Sequence, residues 1–347
     1  MGAGLGKRKG PKPNVNKDAS YEKPLTSNED PNNSKPRLHN DDEVLTVAAY
    51  ENVLFTGGAD ARAFAYDLRS HSIVARFDDH SNAVLKTIPS SSGALVFTGS
   101  RDAKIFARKA RDSECARRFD GHTLSVTGVA VAASDDRLAS GSRDNSVRIW
   151  DVETGKCVAT KSISRNVVTH VAWIGESQSA FVQTSEDKIV KIWDSRIGDV
   201  AQTFPLQRHI HLHCDVENDG HVILTSSSGS RGDGCRVTIW DRRRGDAAIG
   251  DLIGHEAPVT CAKFLPDSMW IGGGKTALSC SNDGAVRVWD LGACTCLSEK
   301  KLPASGPLTS ACVCENQTVA CASHERGVLL LDKHKSQDYL LDIVLNI

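Results

Sequence analysis

Ser140-Gly141-Ser142-Arg143-Asp144-Asn145-Ser146-Val147-Arg148-Ile149-Trp150-Asp151 reads as a small-residue strand, an aspartate turn, and a second strand that closes on Trp-Asp. The pattern returns as Thr184-Ser185-Glu186-Asp187 running to Trp193-Asp194, and as Ser279-Cys280-Ser281-Asn282-Asp283 running to Trp289-Asp290. Trp240-Asp241 closes a further copy, after an inserted Gly229-Ser230-Arg231-Gly232 turn. Weaker copies end at Tyr66-Asp67, Arg108-Lys109 and Leu331-Asp332. The closing positions 66, 108, 150, 193, 240, 289 and 331 are 42, 42, 43, 47, 49 and 42 residues apart. Short alternating apolar runs between Gly, Ser and Asp are strand-and-turn texture, and a fixed period of this length marks a repeat array rather than two globular domains.

Gly121-His122 opens the third repeat and Gly254-His255 the sixth. With the Trp-Asp endings, these motifs resemble the WD-repeat β-propeller family. The resemblance implies an all-β fold, one seven-bladed propeller of four-stranded sheets around a central channel. It also implies a buried chain of hydrogen bonds in each complete repeat: Asp144 to His122, His122 to Ser140, and Ser140 to the indole of Trp150. His255, Ser279, Asp283 and Trp289 repeat the set in the sixth blade. Blade two keeps His80 and Asp102 but has Arg108 where the Trp belongs, so Arg108→Trp is expected to stabilise if that site is buried. Blade four has Ser164 at the His position and keeps Asp187 and Trp193. In blade five His209, His211 and His213 all remain candidates. In the family, one end of the chain usually completes the sheet begun by the other. Residues 339–347 read as a last outer strand.

Residues 1–40 differ in texture, with five prolines among Lys, Asn, Ser and Asp and few apolar side chains. Such a segment cannot bury enough surface to offset its ordering entropy, so a disordered tail is expected there, with the propeller over 41–347. The net charge of the 347-residue chain is −1, which gives no general attraction to nucleic acid. The eleven cysteines, without an apolar leader or a membrane-length apolar run, point to a reducing cytoplasmic setting.

No cofactor or metal motif survives inspection. Gly272-Gly273-Gly274-Lys275-Thr276 lacks the first glycine of a phosphate loop, since Met269 stands there. Arg231-Gly232-Asp233 reads as a turn. The pairs Cys294/Cys296 and Cys312/Cys314 lack the usual two-residue zinc spacing. No Ser/His/Asp or paired-carboxylate set stands apart from the repeat residues, so the expectation is a monomeric, non-catalytic scaffold.

Three sets of residues carry the functional expectations. The turns before each repeat aspartate gather on one face, which should present Arg101, Arg143, Arg165, Glu186, Asn282 and Arg326 to a protein partner. The arginines of blades two to four would form a basic quadrant suited to acidic side chains. Arg196 and Arg243 each follow a Trp-Asp pair by two residues, a doubled arrangement that resembles substrate receptors of cullin-RING ubiquitin ligases; there the arginines contact the ligase adaptor. Finally, segments 164–170, 183–188, 193–196, 219–221 and 306–310 resemble a branch of the WD-repeat family associated with cilia. That branch implies trafficking with small-GTPase regulators and a place at the cilium or basal body. It also implies N-myristoylation at Gly2, where Lys7 fits the pattern and Gly6 departs from it. Lys7, Arg8, Lys9, Lys12 and Lys17 would supply the second signal that peripheral membrane association requires.

Overall fold

Each repeat becomes one antiparallel four-stranded sheet whose strands follow chain order from the channel outward. The computed structural model describes residues 38–39, 42–175, 179–245, 247–266, 269, 274–302, 304–315, 317–333 and 341–346, with Lys333 and 341–346 as backbone only. The seven blades span 44–77, 84–119, 126–162, 168–203, 210–253, 259–301 and 308–346. All lie within one unit, 36–347.

Burial explains the composition of the strands. In blade three the second strand, Arg137–Ser142, is buried along nearly its whole length and uses small residues. The outer strand, Cys157–Ser162, is almost wholly exposed. A Cβ on Gly141 would sit 2.2 Å from Val168 of the next blade, and one on Gly128 would meet the backbone of Val171 at 2.9 Å. Glycine stands there because neighbouring sheets approach closely near the axis.

The apolar core is divided into seven clusters, one at each junction. One joins Phe97, Ile105 and Phe119 of blade two to Val126, Leu138 and Trp150 of blade three. The cluster that closes the ring joins Val44, Leu54 and Phe64 of blade one to Ala320, Ala322 and Leu330 of blade seven, and includes Leu38.

Threonine hydroxyls add a second element to the junctions. Thr127 donates to the carbonyl of Val168, and Thr169 to that of His211. Thr260 donates to Leu308 at 2.7 Å, and Thr309 to Val44 at 2.7 Å. The contact between blades seven and one is therefore of the same kind as three interior contacts. Among the described residues no strand is exchanged to make it: the outer strand of blade seven, Leu341–Asn346, pairs with Gly327–Lys333 of its own sheet. The expected completion of one chain end's sheet by the other is thus replaced by stacking of seven contiguous sheets. Residues 341–346 do form the last outer strand, while 339, 340 and 347 lie outside the described residues.

The tail boundary also moves. Leu38 and His39 are 5% and 2% exposed and belong to blade one, so the propeller includes residues assigned from sequence to the tail. Residues 1–37, with Gly2 and the basic cluster, lie outside the described residues.

Thr309→Val should lower unfolding free energy by about 1 kcal/mol in urea titration, because the Val44 carbonyl loses its donor. Thr127→Val should cost a similar amount. A Thr309 variant with unchanged midpoint and slope would show that ring closure does not use this bond.

Candidate functional site

The turns on one face of the propeller are set by buried chains of polar groups beneath them. In blade three His122 Nδ1 lies 2.9 Å from Asp144 and Nε2 lies 2.7 Å from Ser140 Oγ, which accepts the Trp150 indole N–H at 2.8 Å. With the aspartate ionised, Nδ1–H donates to it, and the serine hydroxyl donates to Nε2. Blade six repeats the geometry at His255, Asp283, Ser279 and Trp289 with the same three distances, 2.9, 2.7 and 2.8 Å. The aspartate also ties the turn above it: Asp144 accepts the backbone N–H groups of Thr123 and Ser146.

Burial alone raises the pKa of Asp102, Asp144 and Asp283. Hydrogen bonds from the partner histidine and from backbone N–H groups outweigh it, leaving Asp102 and Asp283 at about 2 and Asp144 well below the usual range.

The incomplete blades satisfy the same burial by other means. In blade one His39 takes the histidine place, 2.9 Å from Asp60 and 2.9 Å from Thr56 Oγ1. In blade two His80 meets Asp102 at 2.9 Å and Thr98 at 2.8 Å. Both lack the Trp, and an edge-on Phe covers the imidazole instead: Phe64 on His39 and Phe106 on His80, each at 4.8 Å. Arg108 is indeed buried. It already makes an ion pair with Asp79 and a 3.1 Å bond to the Ser113 carbonyl, and it lies over the rings of Phe77 and Phe106. Arg108→Trp would give up those contacts, so the expected gain does not follow from burial.

Blade four corrects the reading of Ser164. Its relay uses Asn166, Gln183 and Lys191, which are 0%, 0% and 5% exposed. Trp193 Nε1 donates to Gln183 Oε1 at 2.7 Å, and Gln183 Nε2 donates to Asn166 Oδ1 at 2.6 Å. Lys191 donates to Asn166 Oδ1 at 2.9 Å and forms an ion pair with Asp187. An ammonium and two amides replace the imidazole and hydroxyl. In blade five none of the three histidines makes the family pairing. Trp240 donates to Thr225 at 2.8 Å, while His211 stands edge-on to Trp240 with neither nitrogen paired among the described residues. Burial pushes its pKa down to about 4, so it is neutral. His209 lies near Asp233, and His213 faces the channel.

Above this frame, the residue preceding each repeat aspartate is held by its backbone N–H. Arg101 donates to Ala83 O at 2.9 Å, Arg143 to Ser125 O at 3.0 Å, Glu186 to Val167 O at 2.8 Å, and Asn282 to Pro258 O at 3.0 Å. The equivalent in blade seven is His324, bonded to Pro307 O and paired with Glu43 at 2.9 Å. The sequence reading named Arg326 there; it lies two residues further along the same turn and is exposed. Arg143 is not an independent cation, since Glu186 lies 3.6 Å from it. Arg101 and Arg165 are exposed, and Leu124, 54% exposed, stands in the loop beside Arg143.

Arg196 and Arg243 occupy the opposite rim, in the turns leading to the outer strands of blades four and five. Each folds back on its own aspartate with two bonds: Arg196 on Asp194 at 3.0 and 2.6 Å, Arg243 on Asp241 at 2.9 and 2.7 Å. Their side chains stay 74% and 61% exposed. Of the rejected motifs, Arg231-Gly232-Asp233 lies in a tight turn bridged by Ser230 and Asp233. Gly272 and Gly273 lie outside the described residues. Among the described residues no cluster of three or more His, Cys, Asp or Glu has the arrangement to hold a metal ion.

The geometry defines a class, a seven-bladed propeller with buried Asp–His–hydroxyl–Trp chains and a rigid ring of turns on one face. The family described as WD domain, G-beta repeat matches residues 113–151 and 248–290 of the chain. Each match begins near the outer strand of one blade and ends on the third strand of the next, so the sequence unit bridges two sheets. Among solved structures, the chain is similar to the WD40 β-propeller domain of Doa1, with a TM-score of 0.72 and 22% identity over 85% of this chain and 95% of that one.

The depressed aspartate pKa values make stability depend on acid. A group lowered from 3.8 on folding contributes above that value, and the contribution is lost as pH falls from about 4 toward 2. Wild-type unfolding free energy should therefore drop steeply in that window, and Asp144→Asn should start lower and drop less. His122→Ala should cost about 1–3 kcal/mol at neutral pH by leaving Asp144 and Ser140 short of a partner. Parallel pH profiles for wild type and Asp144→Asn would remove Asp144 from the linkage.

Proposed function

We propose that this propeller is a non-catalytic scaffold that binds a protein partner through the face bearing Arg101 and Arg143. The observation that carries the reading is the fixed backbone of the residues before each repeat aspartate. Five, Ala59, Arg101, Arg143, Glu186 and Asn282, are held by N–H bonds of 2.8–3.0 Å, so their side chains project from a base that need not be ordered on binding. Arg101 stands on the turn of blade two, and Arg143 on that of blade three, whose entering loop carries the exposed Leu124. Two guanidinium groups and an apolar side chain on consecutive blades suit a short acidic segment with one apolar side chain. Arg165 extends the cationic surface to blade four, and Glu186 limits it, by engaging Arg143.

The cellular setting rests on resemblance. The segments around 164–196 resemble WD repeat-containing protein 31, which supports a role in ciliary trafficking alongside small-GTPase regulators. The structure gives those segments a physical content, because Asn166, Gln183 and Lys191 build the unusual blade-four relay. A myristoyl group on Gly2, aided by the basic residues that follow, would add peripheral membrane attachment. Proximity labelling in ciliated cells should recover ciliary transport or GTPase-regulating neighbours with the wild type. Arg101→Glu combined with Arg143→Glu should lose most of them. Identical neighbour sets from the two proteins would rule out this face.

A second reading, a substrate receptor of a cullin-RING ligase, is favoured by the matched forks of Arg196 and Arg243 in adjacent blades. Their own aspartates hold both side chains in a defined, exposed position. Pull-down of the ligase adaptor should then fall sharply in an Arg196→Ala/Arg243→Ala double variant. Equal recovery would end that reading.

A further inference from the structure

The central channel lies apart from the turns that carry Arg101 and Arg143. Inner strands of all seven blades line this cavity of about 490 Å³. Its charged lining residues are Lys86, Asp215 and Lys263, joined by His170 and His213. Asp215 is fully committed: one oxygen accepts from Lys263 Nζ at 2.9 Å and the other from the Phe264 N–H at 2.9 Å. Lys86 has no acidic partner among the described residues, so the wall holds an uncompensated ammonium.

The histidines add polar groups. His170 and His213 stack with centroids 3.9 Å apart; His170 Nδ1 accepts the Cys214 backbone N–H at 3.5 Å and lies 3.4 Å from its sulfur, which leaves Nε2 to donate, and His213 Nε2 lies 3.7 Å from the Cys261 sulfur. His213 is 5% exposed, and its Nδ1 has no hydrogen-bond partner among the described residues. Burial and the facing cations push both imidazoles toward the neutral form. Burial likewise pulls the Lys86 ammonium down to about 8, reflecting a charge short of both water and a counter-ion.

We propose that the channel binds a small oxyanion of the phosphate class, free or as a compact phosphate ester, with Lys86 as its principal charge and the His170–His213 pair as neighbouring donors. A lysine acts as a point charge on phosphate, and several separated donors suit its oxygens better than the two of a carboxylate. The cavity is within the range of small-ligand sites and exceeds what a single halide would fill. Lys263 contributes field but keeps its bond to Asp215.

Calorimetric titration of the full chain at low ionic strength tests this, with inorganic phosphate, glycerol 2-phosphate and acetate as probes. Phosphate should bind once per chain, and acetate more weakly. The glycerol 2-phosphate arm separates the two sources: tighter binding than phosphate points to an ester, weaker binding to the free ion. Lys86→Met should weaken phosphate binding by about tenfold or more, whereas Lys86→Arg should stay within about threefold of wild type. Arg101→Glu/Arg143→Glu should leave it unchanged, which separates the channel from the top face. Should Lys86→Met fail to fold, acetylation footprinting on the wild type decides: phosphate should protect Lys86 but not the exposed Lys156. Absence of phosphate binding, equal affinity in Lys86→Met, tighter acetate binding, or no protection of Lys86 would each overturn the proposal.

Discussion

A sheet covered on both faces has no water with which to satisfy its polar side chains, and every blade of this propeller is covered by its two neighbours. That constraint governs the rest of the structure. A polar group stranded there costs about 1–3 kcal/mol, so each must find its partner within the blade or across the junction. His122 meets the demand compactly, because one imidazole links a carboxylate in the turn to a hydroxyl in the strand. The same bonds bind the turn above the sheet to the core below it, and so tie stability to the shape of the outer face.

The blades show that the constraint is stricter than the chemistry used to meet it. Blades one and two drop the indole and place a phenylalanine edge against the histidine. Blade four abandons histidine for an ammonium and two amides, with Asn166 Nδ2 left unpaired among the described residues. Blade five pairs Trp240 with Thr225 and leaves a neutral His211 without partners. In the first three cases the Asp still receives a donor, since it must cap its own turn. Blade five, whose turn is lengthened by the Gly229–Ser230–Arg231–Gly232 insertion, carries its carboxylate on Asp233, which meets Arg208 at 3.2 Å and His209 at 3.6 Å rather than the buried His211.

This pattern explains what was legible in the sequence. The period and the His122 and His255 sets could be read because the same residue types recur at the same spacing. The relay of Asn166, Gln183 and Lys191 could not, because Gln183 stands where Ser140 and Ser279 carry a hydroxyl and Lys191 where Arg148 and Arg287 carry a guanidinium; residue type changed while a buried polar link to the Trp survived. His39 was hidden by its place beside a proline-rich segment, although its 21-residue separation from Asp60 matches the 22 between His122 and Asp144. The threonine bonds between blades left a visible trace, Val-Thr or Leu-Thr at 126, 168, 259 and 308, that alternation alone did not single out. Closure without strand exchange was unreadable, since it depends on which sheet accepts Leu341–Asn346.

The division between frame and surface also bears on function. Residues buried in the relays are chosen by satisfaction of hydrogen bonds, so their variation between blades says little about a ligand. Residues that the frame positions but does not satisfy are different. Arg101 and Leu124 project from fixed backbone into solvent without a partner that the fold requires, and Lys86 does the same into the channel. Arg196 and Arg243 stand between these extremes: each is exposed, yet its fork is already filled by a carboxylate two residues away. Any acidic partner at that rim must displace Asp194 and Asp241 or accept only the outer edges of the guanidinium groups. At Arg101 nothing has to be displaced, which is why the weight of the functional reading falls on that face.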